Sequence, residues 1–217
     1  TYTVKKSVYQ QMTELDEPRP NTAYGESKLK SEKYLHRLAV ELEQAGKPKF
    51  PYVIFRPTGV YGPREMDYAL MAKSIRQHVD FAVGYKPQEI TFVYVQDLVD
   101  AIYAAVDKGV SGRTYFVSDG FVYSSRAFSD LIQRQLGVKR VLHITAPLWV
   151  LRCVSAVAET FSRMVGKTST LNGDKYKIMK QRNWKCDITP LQRELGFTPQ
   201  WNLERGVKAC AEWYKKI

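Results

Sequence analysis

"TAYGESKLKSEKYLHRLAVELEQAGKPKFPYVIFRPTGVYGP", residues 22–63, passes from a helical pattern to a strand pattern within a few residues. Leu29, Leu35, Leu38 and Leu42 form an apolar stripe at helical spacing, Lys and Glu fill the other faces, and Gly46 stops the helix. "FPYVIFRP" (50–57) is β-branched and aromatic and reads as a buried strand, and "TGVYGP" (58–63) turns sharply on two glycines and a proline. Outward from this unit, residues 1–21 are polar and irregular and end in the loop "DEPRPN". The pattern predicts a helix from about Asp67 to Val79, a strand in "EITFVYV" (89–95) and a helix over 96–109 closed by Gly109. A strand follows in "GRTYFVSD" (112–119), then a helix capped by Ser124 or Ser125 that ends at Gly137, then the strand-like "RVLHIT". An apolar helix from Pro147 to about Val165 precedes a polar linker (166–174). Thr189, Pro190 and Gln192 open a short helix ended by Gly196, and "LERGVKACAEWYKK" (203–216) is the final helix. Strands alternating with helices, without repeats or low-complexity tracts, argue for α/β with a mainly parallel sheet.

The 217 residues are 44% hydrophobic, enough to bury one large core or two small ones. The chain begins at Thr1 with no charged-then-apolar leader and reads as the interior of a longer, cytoplasmic protein. Its longest apolar run (144–161) is broken by Arg152 and Glu159 and is too short and too polar to span a bilayer. Cys153, Cys186 and Cys210 are odd in number and lack a CxxC, which fits reduced thiols, and the three scattered histidines form no metal pair. The formal charge of +11 is spread along helix faces among glutamates, so it describes a solvated surface and not a nucleic-acid module. The same field favours an anionic cofactor.

A tyrosine stands four places before a lysine three times, at Tyr2/Lys6, Tyr24/Lys28 and Tyr176/Lys180. The first lies in the irregular start, where such residues need not meet, and the third in the basic run "KYKIMKQRNWK", which reads as a solvated helix face. Tyr24 and Lys28 sit just inside a helix start, where neighbours at that spacing share a face, with small residues Gly25 and Ser27 leaving room for a ligand. A neighbouring ammonium favours the phenolate, so such a pair can pass the proton of a hydroxyl or carbonyl while a nicotinamide moves the hydride.

"PNTAYGESKLKSE", "FRPTGVYGPRE", "FVYVQDLVDAI" and "DITPLQRELGFTPQWNLERGVKACAEWY" occur in the order and rough spacing of the extended short-chain dehydrogenase/reductases, and the chain resembles this NAD(P)-dependent epimerase/dehydratase family over nearly its whole length. The resemblance implies part of a doubly wound parallel Rossmann sheet (1–57 plus 96–120) interwoven with a smaller substrate domain (58–95 plus 121–217). It implies NAD or NADP as cofactor, Tyr24 as acid/base, Lys28 as holder of the nicotinamide ribose, and Pro57 and Val60 beside the nicotinamide. Thr58, Tyr61 and Arg64 become candidates for contact with a small-molecule substrate. Arg56 is assigned a bracing role, and Asp97 matches a family aspartate for which helix capping competes with substrate contact. A homodimer and a peripheral membrane contact through the 147–165 helix are further expectations. The family's glycine-rich turn and its catalytic Ser or Thr are expected before Thr1.

Thr58, where many nucleotide-sugar epimerases carry Asn, and the lack of a basic residue just ahead of "FVYV" favour an oxidoreductase of a secondary alcohol or ketone, of steroid dehydrogenase-like or dihydroflavonol reductase-like kind. A nucleotide-sugar epimerase or dehydratase is the alternative, and a non-catalytic NAD(P)-binding sensor is the alternative of another class.

Because dinucleotides are held mainly by a glycine-rich turn and the following helix N-terminus, a polypeptide of residues 1–217 is expected to bind NADH or NADPH far more weakly than a longer protein that carries that turn. Calorimetry finding micromolar affinity for the 217-residue polypeptide would overturn this.

Overall fold

The computed structural model describes residues 10–154 and 173–216. Helix α1 (Ala23–Gln44) leads to β1 (Val53–Pro57), and β1 pairs in parallel with β6 (Arg113–Val117), in register from Val53↔Arg113 to Pro57↔Val117. Parallel strands need a crossover, and helix α3 (Val95–Asp107) lies in it, burying Ala101 and Ala105 against Tyr115 and Val117 of β6. β2 (Gly59–Tyr61) pairs in parallel with β5 (Phe92–Tyr94). Between them lie α2 (Met66–Arg76), β3 (Val79–Val83) and β4 (Glu89–Ile90). β4 runs antiparallel to β7 (Tyr123–Ser124), α4 (Ala127–Leu136) follows, and β8 (Leu142–Ala146) pairs in parallel with β3. The chain ends in α5 (Gly173–Met179), α6 (Thr189–Leu195) and α7 (Leu203–Lys216). Three of the four described strand pairs are parallel, as the alternation of patterns predicts.

Several boundaries differ from the sequence expectation, each for a local reason. The helix after the turn stops at Arg76, and Val79 begins a strand. His78 makes the break by taking the left-handed conformation (φ 64) that glycine usually supplies, its Nδ1 2.7 Å from the Arg140 carbonyl oxygen. Neither Ser124 nor Ser125 caps α4: Ser124 belongs to β7, and Arg126 precedes the helix without a side-chain cap. At α6 Thr189 is the first helical residue and not the cap; Ile188 holds the cap position without a side-chain bond, and Asp187 ahead of it accepts the Thr189 N–H at 2.9 Å. The helix expected from Pro147 opens at residue 148 and continues through Val154, and the rest of that expectation lies outside the described residues. Residues 173–174, expected in a linker, are helical. On α1 the leucine stripe is only half-buried, and the buried polar residue is Glu32.

The larger core packs α2, β5, α4 and α7 around Tyr61, with Phe92, Phe128, Ile132, Leu203 and Val207 buried. Tyr61 is 1% exposed, its ring meets Phe92, Tyr94 and Phe128 edge-on, and its hydroxyl donates to the Asn202 carbonyl at 3.1 Å. The start of α7 is fastened by buried polar groups. Asp97 accepts the N–H groups of Gln200 and Trp201 at 3.0 Å each, and the Tyr123 hydroxyl accepts the Leu203 N–H at 3.2 Å while donating to Asp119 at 2.6 Å. Burial pushes the carboxyl of Asp119 up to about 6, against the opposing pull of the hydrogen bonds from Tyr123 and the Phe121 N–H. Asp97 is raised for the same first reason, opposed by its two backbone donors.

Glycine is required at position 206, because a Cβ there would come within 2.6 Å of two ring carbons of the enclosed Tyr61. Gly206→Ala is expected to destabilise the protein by about 1–3 kcal/mol of overpacking, beyond the roughly 1 kcal/mol of helix propensity it gains. An unchanged or raised thermal midpoint would contradict this packing. A second expectation concerns pH. A carboxyl with a folded-state pKa above its unfolded value holds its proton more tightly when folded. Stability therefore falls as pH rises from about 4 through about 6, by about 2–3 kcal/mol at most. Denaturant titrations at about pH 4.5 and about pH 7 should show this loss shrinking in Asp119→Asn; an identical loss in the variant would clear Asp119 of the cost.

Candidate active site

The first turn of α1 is held before any ligand arrives. Thr22, extended (φ −126, ψ 150) and buried, caps it by accepting the Gly25 N–H at 3.0 Å. The Ala23 N–H goes to the carboxylate of Asp174 on α5 at 3.0 Å, and Ser27 bonds back to the Tyr24 carbonyl at 2.8 Å. On this turn Tyr24 is 61% exposed, and the Lys28 ammonium lies 5.4 Å from its ring centroid. Among the described residues that ammonium has no carboxylate partner. Tyr2 and Lys6 lie outside the described residues.

Two turns further on, Glu32 fixes α1 to the end of β1. Its carboxylate receives two guanidinium bonds from Arg56, at 2.7 and 3.2 Å, and the pair is nearly buried, with the guanidinium also 5.7 Å from the Phe116 ring centre. A two-pronged pair sets orientation as well as distance. Arg56 thus braces the strand end. Pro57 follows exposed, and the Thr58 N–H and hydroxyl both turn to the Val117 carbonyl, at 3.1 and 3.3 Å. β1 and β6 run parallel and end together here, at the carboxyl ends where open α/β sheets bind ligands.

The other sequence candidates divide. Val60 is half-buried in β2 opposite Val93. Arg64 is exposed in the turn before α2 with φ 74. Tyr61 is corrected: enclosed in the core with its hydroxyl on Asn202, it presents nothing to a substrate. Asp97 does not cap its own helix but holds the loop ahead of α7.

A cavity of about 480 Å³ opens beside the end of β3. Its apolar lining is Val83, Leu148 and Met179, its cations are Lys86, Lys180 and Arg182, and among the described residues no carboxylate lines it. The Gln88 amide nitrogen donates to the carbonyls of Met179 and Gln181 at 2.8 and 2.6 Å, and the Glu89 N–H donates to the Arg182 carbonyl at 2.8 Å, so the 179–182 segment is laced to the β4 segment. The sequence reading missed this site. It assigned Lys180 to a solvated face and looked for a cation just ahead of "FVYV", whereas the cations converge from positions nearly a hundred residues apart. Helix α5 connects the two sites: Asp174 in its first turn holds α1, and Met179 at its end lines the cavity, about 8 Å along the axis.

Residues 2–118 match the model of the NAD dependent epimerase/dehydratase family. Among curated proteins, the chain is 25% identical over 215 residues to dTDP-D-glucose 4,6-dehydratase of Mus musculus, covering 97% of this chain and 52% of the relative. It is 26% identical over 207 residues to dTDP-L-rhamnose 4-epimerase of Burkholderia thailandensis, covering 91% and 47%. The chain thus spans about half the length of these relatives. Among solved structures, the UDP-glucose 4-epimerase of Thermotoga maritima with UDP-glucose superposes at a TM-score of 0.70 and 21% identity, over 100% of this chain and 60% of that one. RMD from Pseudomonas aeruginosa complexed with NADPH superposes at 0.69 and 18%, over 100% and 63%. These likenesses show the fold.

Proposed function

Since the chain belongs to the NAD dependent epimerase/dehydratase family, we propose that it supplies the proton-transfer pair and the substrate side of an NAD(P)-dependent oxidoreductase acting at a secondary hydroxyl of a sugar carried on a diphosphate. The observation that carries the reaction is the open, pre-oriented pair Tyr24 and Lys28, with the ammonium 5.4 Å from the ring and no carboxylate claiming it among the described residues. The exposed phenol takes or returns the hydroxyl proton, and Lys28 holds a ribose hydroxyl of the cofactor and favours the charged form of its neighbour. Bound NAD or NADP supplies the hydride chemistry. Pro57 and Val60 face the nicotinamide side, and Thr58 and Arg64 face the substrate side.

The cationic cavity favours the diphosphate-linked sugar over an apolar ketone. Three cations, with no carboxylate among the described lining residues, suit an anionic carrier, and the names of the dehydratase and epimerase relatives carry dTDP- or UDP-linked sugars. The two parts of the molecule accordingly take two tasks, residues 1–57 and 96–120 the cofactor and residues 58–95 and 121–217 the substrate.

In the intact enzyme, Tyr24→Phe keeps the ring and removes its ionisable atom, so turnover is expected to fall by about 10²–10⁴-fold with cofactor affinity nearly unchanged. Lys28→Met is expected to weaken both. Tyr176→Phe, with the same spacing in another setting, should be close to neutral. Near-normal turnover in Tyr24→Phe would reduce the pair to neighbours on a helix and leave cofactor binding without proton transfer, as in a sensor.

A further inference from the structure

The β3–β8 pair is inverted with respect to polarity. Registered partners in a parallel pair point to the same side, so Val79, Phe81 and Val83 share a face with Leu142, Ile144 and Ala146, while Asp80 and His143 share the other. On the polar side Asp80 is covered, while the His143 side chain beside it stays 44% exposed. Asp80, 4% exposed, receives Arg126 at 2.7 Å and the Ser129 hydroxyl at 3.2 Å, both from the α4 region, with the His143 Nδ1 3.0 Å away. Among the described residues no element packs on the all-apolar side, where Phe81 is 64% and Leu142 63% exposed and Val79, Val83 and Ala146 are half-buried. A strand pair normally turns such a face to the core, so this one asks for an occupant.

Three observations bear on the occupant. The face runs without interruption into the cationic cavity, because Val83 belongs to both. It is also narrow: four strand rises give roughly 13 Å, and two strands with their side chains give about 10 Å of width. That is far below the roughly 800 Å² per partner of a stable protein interface, but it suits one alkyl chain. Apart from the buried Asp80, no carboxylate stands in 77–88 or 138–154, whereas Lys86, Lys139, Arg140 and Arg152 do. The partner therefore combines an anionic head with a single apolar tail.

We propose that the diphosphate carrier of the substrate ends in a prenyl-type chain, with its phosphates on Lys86, Lys180 and Arg182 and its tail along Phe81, Leu142 and Ile144. This rests on the diphosphate-linked reading above and replaces the nucleoside by a lipid. The absence of a basic residue ahead of "FVYV" agrees with it, since the cations stand instead where the apolar face ends.

The test is calorimetry on the intact, cofactor-loaded protein with inorganic pyrophosphate, UDP and farnesyl diphosphate, the last below its micellar concentration. Farnesyl diphosphate is expected to bind at least about tenfold more tightly than either of the others. Phe81→Gln with Leu142→Gln, both at solvent-facing positions, should bring it down to the level of pyrophosphate and leave pyrophosphate itself unmoved. Lys180→Ala with Arg182→Ala should weaken all three. If UDP binds most tightly, or farnesyl diphosphate gains nothing over pyrophosphate or ignores the face substitutions, the lipid carrier is wrong and the diphosphate reading stands. If none of the three binds, the diphosphate reading falls with it.

Discussion

Two backbone N–H groups, those of Gln200 and Trp201, end on one carboxylate with no access to water, Asp97. Burying a carboxylate is costly unless donors meet it, and here the donors come from a loop more than a hundred residues away. The arrangement closes the chain's last helix onto the rest of the molecule. With the 200–201 loop held by α3, the Leu203 N–H reaches Tyr123, the Asn202 carbonyl reaches Tyr61, and Gly206 passes directly over the Tyr61 ring. The largest core cluster is thereby assembled from α2, β5, α4 and α7. A second buried carboxylate, Asp119, braces Tyr123 from behind.

The end that carries Tyr24 and Lys28 is held by a different device. α1 presents these two proposed proton-transfer residues on its surface and is steadied at both ends of its first half, by Asp174 at the opening N–H and by the Glu32–Arg56 pair at β1. Breaking a nearly buried pair by removing one partner costs about 3–5 kcal/mol because the other charge is stranded. Polar anchoring thus replaces a deep apolar contact on a helix whose leucine stripe is only half-buried. α5 gives this end its link to the cavity, since the helix that holds the opening N–H of α1 leads directly into the segment carrying Lys180 and Arg182.

Phe81 and Tyr61 show how little hydropathy alone says about role. Tyr61 follows the glycine turn where a ligand contact is expected, yet it is the centre of the core, because four aromatic neighbours and Gly206 enclose it. Phe81 lies in a strand with no turn signal before it and stands open, because Asp80 beside it is drawn to Arg126 and turns that side of the strand inward.

By itself the sequence determined most of the local order of elements, β3 excepted, and the spacing that sets Tyr24 one helical turn from Lys28. Helix stripes, the apolar "YVIF" and "TYFV" strands, Gly137 and Gly196 are short-range signals, since a backbone conformation or a periodicity is carried by adjacent residues. Tyr24 and Lys28 were legible for the same reason, being one helical turn apart. Tertiary structure alone decided the break at His78, where a non-glycine residue takes a left-handed conformation under the hold of Arg140. It also decided the burial of Tyr61, the partners of Asp97 and the convergence of Lys86, Lys180 and Arg182. These depend on groups brought together from distant parts of the chain, and no spacing along the chain encodes a distance across the fold.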